Sequence, residues 1–195
     1  MEFNRPRRPA DVAPAELALV VVDLQVAYLD GGLLEEHREQ LVERANALIR
    51  WCRARGSPVV VVRTEHRRDG ATWTLNMRED DQGFAFSGDD DAQVVSELDR
   101  AGTHELVKTR DSAFVRTDLA ERLARWGTRA LVVCGVSTHT CVALTTADAY
   151  ARDLDVFVVP DAVASHRPQW HDSALELLRS EYRLRMPTTD EVLAG

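Results

Sequence analysis

A chain of 195 residues fits one globular domain spanning residues 1–195. With 45% hydrophobic and 29% charged residues it has the ordinary balance of a folded domain, and a formal net charge of −8 argues against nucleic acid or an anionic membrane surface as partner. Its three cysteines, Cys52, Cys134 and Cys141, match neither a disulfide framework nor a zinc-knuckle spacing, so reduced thiols and a cytoplasmic location are expected.

Met1 to Pro9 reads as a polar lead-in arm without the apolar core of a signal peptide, and no later window is apolar and long enough to span a bilayer. Leu17 to Asp23 is an apolar run without alternation, the pattern of a strand buried on both faces, and it ends in a carboxylate. Glu35 to Arg55 predicts a helix. Leu34, Leu41, Ala45, Leu48 and Cys52 recur on one stripe, and Gly56 stops it. Pro58 opens the β-branched strand Val59 to Val62. Thr64 to Asp91 mixes glycines, charges and the aromatics Trp73, Phe84 and Phe86, and reads as a long functional loop, a candidate lid.

Three further cycles follow. His104 to Lys108 is a strand and Thr117 to Trp126 a helix; Ala130 to Val133 is a strand and His139 to Arg152 a helix; Val156 to Val159 is a strand and Pro168 to Tyr182 a helix. A last short strand is expected near Leu184 to Met186. Strands alternating with helices predict a parallel sheet covered on both faces, with ligands gathering beyond the carboxyl ends of the strands.

Three chemistry-bearing residues fall at that edge: Asp23 after the first strand, Lys108 at the end of the third, and Cys141 just past the fourth. In Val132-Val133-Cys134-Gly135-Val136-Ser137-Thr138-His139-Thr140-Cys141-Val142 a strand runs through a small-residue turn and sets Cys141 on the first turn of a helix. Free N–H groups and the helix dipole are expected there to ease loss of the thiol proton and to hold an oxyanion. A carboxylate, an amine and a thiol at one rim make a covalent-catalysis set. Cys52 on a helix stripe and Cys134 inside a strand read as small buried hydrophobes. A Cys–His base pair with His139 is disfavoured, since side chains two apart at a helix start do not face each other. A dinucleotide-binding module is disfavoured too, because no glycine follows the first strand in Asp23-Leu24-Gln25-Val26-Ala27-Tyr28.

Val21-Val22-Asp23-Leu24-Gln25, Val107-Lys108 with Ser112-Ala113-Phe114, Gly135 to Val142, and Val159 to Ser165 together resemble the signature segments of the isochorismatase-like cysteine hydrolases, in order and along nearly the whole chain. The resemblance implies a three-layer α/β/α sandwich with a six-stranded parallel sheet. It implies Asp23, Lys108 and Cys141 as catalytic triad, a cis peptide between Val136 and Ser137, and the N–H groups of Ser137 and Cys141 as oxyanion hole. It implies a homo-oligomer, dimer or tetramer, acting on a small-molecule substrate. Nicotinamidases of this family hold a metal through an Asp-x-His spacing after the second strand; here Arg63-Thr64-Glu65-His66 lacks it, so no metal and no cofactor are expected. Members that cleave enol ethers can work without the thiol, so its presence favours amide-type C–N cleavage over isochorismate chemistry.

Tyr28, Trp73, Phe114, Ser137 and His139 are the expected pocket walls, with Phe84 in the candidate lid. Arg63, Arg67, Arg68 and Arg78 are candidates for a substrate carboxylate or for loop salt bridges. His166, Trp170 and His171 either reach the pocket from the last helix or belong to a subunit contact.

Overall fold

Six consecutive apolar residues form β1 (Leu17–Val22), and all six are buried. Successive strand side chains point to opposite faces. Leu17, Leu19 and Val21 therefore enter one apolar layer, while Ala18, Val20 and Val22 enter the other. A strand buried on both faces must lie inside a sandwich, and the computed structural model, which describes residues 6–31 and 34–195, shows one. The first five residues of the expected lead-in arm lie outside the described residues.

A single turn, α1 (Val26–Leu29), follows β1, and the long α2 (Arg38–Arg55) then crosses one face. Its apolar stripe buries Leu41, Ala45, Leu48 and Cys52, and Gly56 ends it in the left-handed conformation at φ 76°. Beyond β2 (Val59–Thr64) the long connection carries the short α3 (Leu75–Glu79) and a 3₁₀ turn over Asp90–Ala92 before β3 (His104–Lys108). The remaining elements are α4 (Leu119–Trp126), β4 (Ala130–Val136), a wide π-type turn over Thr138–Val142, α5 (Ala143–Tyr150), β5 (Asp155–Ala164), α6 (Pro168–Ser180) and α7 (Thr189–Leu193). The strands lie in the order β3-β2-β1-β4-β5, all parallel. α2 and Val192 of α7 pack on the face that receives Leu17, Leu19 and Val21; α4, α5 and α6 cover the other.

The sheet has five strands where six were expected. Leu184 to Met186 makes one parallel bridge, Arg185 to Phe157, with the Val158 N–H donating to Arg185 O at 3.3 Å. Arg183 before it takes a left-handed φ of 52° and Pro187 after it has no N–H to donate, so the ladder cannot extend. Two strands run further than expected. β4 continues to Val136, and β5 passes through Pro160 to Ala164, which an edge strand tolerates because the proline needs no partner on its open side. The helix expected from His139 starts as the π-type turn and becomes α-helical only at Ala143.

The sheet order reverses direction at β1 and β4, the place where an open α/β sheet forms its crevice. There Gly135 sits beside Val22 at φ 114°, and a Cβ on it would lie 2.0 Å from the Val22 carbonyl oxygen. Only glycine allows that approach.

Gly135→Ala is expected to destabilise the fold by about 3 kcal/mol or more, through a clash with backbone that cannot move aside. Gly102→Ala, at a positive φ of 70° with nothing within 4 Å, should cost only about 1 kcal/mol; thermal melts of the two variants compare them. A second expectation concerns alkaline pH. Burial pushes the Cys52 thiol up from 9.0 to about 12. A group whose pKa is raised by folding gives its full stability below pH 9 and loses it as pH rises toward 12, by about 1.4 kcal/mol per pH unit. Denaturant titrations between pH 9.5 and 11 should show that loss, with a shallower slope in Cys52→Ala.

Candidate active site

The carboxyl ends of β1, β2 and β3 lie side by side, and each ends in a polar residue: Asp23 just past β1, Thr64 on β2 and Lys108 on β3. Asp23 takes a left-handed φ of 51°, which an aspartate tolerates, and its N–H donates to Val62 O at 2.9 Å. Two strand spacings, about 10 Å, separate β3 from β1. The lysine stem covers most of that gap above Thr64. Its Nζ lies 2.7 Å from Asp23 Oδ2, donates to Thr64 Oγ1 at 2.7 Å, and reaches Cys141 Sγ at 3.3 Å. Thr64 Oγ1 in turn donates to Asp23 Oδ1 at 3.1 Å. Lys108 is 1% exposed and Asp23 fully buried. Gln25 locks the arrangement from below: its amide donates to Thr64 O and Ala92 O, both at 2.8 Å, and accepts from Thr64 N at 2.7 Å.

Cys141 comes from the turn after β4. The Val136–Ser137 peptide is cis. Ser137 O accepts from the N–H groups of Thr140 at 3.1 Å and Val142 at 3.2 Å, skipping the Cys141 N–H between them. From behind, His171 Nδ1 pairs with Thr138 Oγ1 at 2.9 Å and His139 Nδ1 with Ser165 Oγ at 2.7 Å. The Ser112-Ala113-Phe114 segment after β3 is fastened to α5: Ser112 Oγ donates to Asp148 Oδ2, and the Ala113 N–H to Thr145 Oγ1 at 3.0 Å. Lysine and cysteine are thus held to one another through their flanking segments.

The electrostatics correct one expectation. Burial, then the charges of Asp23 and Asp111, push the Cys141 thiol well above its ordinary range, and Lys108 opposes them only in part. The direction is opposite to the one expected of a helix start. Burial pulls the Lys108 pKa down, but the pairing with Asp23 leads the contacts that outweigh it, and the pKa is raised.

Above these groups opens a cavity of about 320 Å³. Tyr28, Ser137 and Cys141 line it, as expected, together with Thr64, His66, Thr140 and His166. The long connection supplies Thr74, Asn76, Met77 and Phe84, so this segment is a wall of the cavity. Tyr28 packs edge-on to Phe84, and burial, Asp23 and Cys141 raise its hydroxyl well above its ordinary pKa.

Three expected walls lie elsewhere. Trp73 turns back onto its own loop, donating from Nε1 to Arg67 O at 2.8 Å and lying against Phe86. Phe114 is 6% exposed in the second apolar layer with the Arg152 guanidinium over its ring. His139 sits one layer back, its ring against His166 and Trp170. Of the four candidate arginines, Arg63 pairs with Glu65 and Glu105, Arg67 with Asp69 and Arg68 with Asp89, while Arg78 reaches Gly70 O at 3.5 Å. Glu65 is engaged by Arg63 while the His66 ring meets Thr72 O and Phe84, so the two diverge. Among the described residues no three His, Cys, Asp or Glu side chains gather as a metal set.

Two charged cavity residues escaped sequence reasoning: Arg110, and Asp111, whose Oδ1 lies 3.9 Å from Cys141 Sγ. The only signal was their position two and three residues past Lys108, on the rim that the sheet edge defines.

Comparison with known proteins agrees with this architecture. The family model described as "Isochorismatase domain" matches residues 17–191. Phenazine biosynthesis protein PhzD1 of Pseudomonas aeruginosa is 35% identical, over 95% of this chain and 91% of that one. An isochorismatase family protein of Desulfovibrio vulgaris superposes with a TM-score of 0.81 at 31% identity, covering 92% of this chain and 99% of the other. N-carbamoylsarcosine amidase of Thermoplasma acidophilum does so with a TM-score of 0.77 at 31% identity, over 90% and 98%. With its sheet, its crevice and its sequence all of one kind, the chain belongs to the isochorismatase-like hydrolase family.

Proposed function

We propose that this protein is a cysteine amidohydrolase that cleaves a C–N bond of a small molecule through a thioester on Cys141. The observation that carries this reading is one buried ammonium touching both a carboxylate and a thiol, Lys108 Nζ to Asp23 at 2.7 Å and to Cys141 Sγ at 3.3 Å, beneath a cavity of substrate size. Attack by the thiol needs a base, and the Asp23 carboxylate, 2.7 Å from the Lys108 ammonium that meets the sulfur at 3.3 Å, takes that role. As sulfur attacks the amide carbon, the S–H proton passes to Asp23 and the carbonyl electron pair moves onto oxygen. The N–H groups of Ser137 and Cys141 hold that oxyanion; one such donor is worth about 3–4 kcal/mol of barrier. Collapse breaks the C–N bond, and Asp23 returns its proton to the departing nitrogen. Asp23 then takes a proton from water, whose oxygen attacks the thioester; the C–S bond breaks and sulfur recovers the proton. Lys108 stays charged throughout and offsets whichever anion is present, carboxylate or sulfur.

A second reading is enol-ether hydrolysis of the isochorismatase type, favoured by the description of the matching family model. A panel of small amides beside isochorismate, with ammonia and pyruvate as readouts, separates the two.

Cys141→Ala should lower ammonia release by roughly 10⁴-fold while the melting temperature stays near that of the parent protein. Undiminished turnover in that variant ends the covalent account. Asp23→Asn should split two readouts. Asp23 raises the thiol pKa, so its neutral replacement lowers it and speeds alkylation of Cys141 by iodoacetamide at neutral pH. Amide hydrolysis should fall by about 10²–10⁴-fold for want of the base. Slower alkylation and slower hydrolysis together would mean that the substitution had merely disordered the site.

A further inference from the structure

The arginines of the loop that follows β2 are occupied by its own carboxylates, with Arg67 on Asp69 and Arg68 on Asp89. A different arginine faces the cavity. Arg110 follows β3 by two residues and lines the cavity next to Thr109 and Asp111. Its Nη1 donates to Thr72 O at 2.7 Å and Thr109 O at 2.5 Å. Carbonyls fix a guanidinium without cancelling its charge, and among the described residues Arg110 forms no ion pair. Its surroundings add charge of the same sign. Burial, then the neighbouring charges of Arg116 and Arg78, pull its pKa down, and only Asp111 opposes them. Neither Arg78 nor Arg116 forms an ion pair among the described residues. Arg110 is thus the arginine that lines the cavity, held by two carbonyls and not by a carboxylate.

The other titratable groups facing the cavity form no ion pair with Arg110 among the described residues. Lys108 is matched by Asp23 at 2.7 Å. His66 is held below its ordinary pKa by burial, so it is neutral at neutral pH. Asp111 is exposed and stands on the sulfur side, 3.9 Å from Cys141 Sγ. It therefore repels an anion at the scissile centre while leaving the Arg110 side open.

We propose that Arg110 is the specificity-determining residue of this site, selecting amides that carry a carboxylate, which its unpaired guanidinium edge holds while the scissile carbonyl lies over Cys141. The proposal rests on the amidohydrolase reading and narrows its substrate class. A planar guanidinium meets a carboxylate through two parallel hydrogen bonds, so it orients the substrate as well as attracting it. In a cleft with low-dielectric walls, unbalanced charge raises the local concentration of oppositely charged ligands by 10-fold or more.

The test needs no knowledge of the natural substrate. Iodoacetate and iodoacetamide alkylate the same sulfur, and one carries a carboxylate where the other carries a neutral amide. Their rates at Cys141, located by peptide mass spectrometry, are measured as a ratio, in which any change in thiolate content cancels. N-acetylcysteine treated alongside supplies the ratio of an unguided thiol. The expected iodoacetate/iodoacetamide ratio at Cys141 is about tenfold above that reference at low salt, and it shrinks as added salt shortens the screening length. Arg110→Gln should bring the ratio down to the reference value, and Asp111→Asn should raise it further. A ratio equal to the reference in the parent protein, or one that Arg110→Gln leaves in place, overturns the anchor while leaving the nucleophile reading intact. If neither reagent modifies Cys141, the nucleophile reading falls and the anchor falls with it.

Discussion

Everything at this site depends on two opposite charges held where water cannot reach them. Removing a lysine and an aspartate from water costs several kcal/mol for each ion, and their attraction repays it only with close geometry and further hydrogen bonds. Both conditions are met: the 2.7 Å pair is completed by Thr64, which takes a bond from Lys108 and gives one to Asp23. The strand order supplies the geometry. Because β2 lies between β3 and β1, the lysine must cross it, and a hydroxyl at the end of β2 fills the only stretch where the ammonium would otherwise lack a partner. Gln25 then pins that hydroxyl's backbone to the first strand's exit. Three strand ends act as one rigid floor.

Much of this was legible in the chain because buried parallel strands leave a plain mark. Leu17 to Val22 and Val59 to Val62 are apolar without alternation, so β1 and β2 could be placed almost to the residue. Once strands and helices alternate, the carboxyl edge follows, and Asp23, Lys108 and Cys141 fall on it. What one sequence could not show was how the segments beyond the edge fold back. Trp73 and Phe84 share a loop and a chemical character, yet one ring faces the cavity and the other packs on Phe86. Phe114 and Arg110 flank the same short turn, and it is the arginine that lines the cavity while the phenylalanine is buried below. Periodicity gives faces of helices and strands and says nothing about such loops.

The thiol shows a different limit. A position near a helix start lowers a thiol pKa when the sulfur is open to solvent and no anion is near. Here burial and two carboxylates outweigh Lys108. Neither term can be read locally: burial is set by the whole cavity, and Asp23 and Asp111 come from other strands' ends.

On the proposed reading, attack and selection are joined at one turn. Lys108 lies on the floor, and Arg110, two residues on, stands on the wall. The segment just past them is bonded to α5 through Ser112 to Asp148 and Ala113 to Thr145, and α5 continues directly from the turn that carries Cys141. An anchor and a nucleophile mounted on separate flexible loops would each wander, and the distance between them would vary with both motions. Tied through α5, they share one frame. Since a misplacement of about 1 Å at the reacting atoms can cost 10²-fold in rate, a rigid link between the proposed anchor and the proposed nucleophile would let a cavity walled largely by a long loop act with the accuracy of the sheet beneath it.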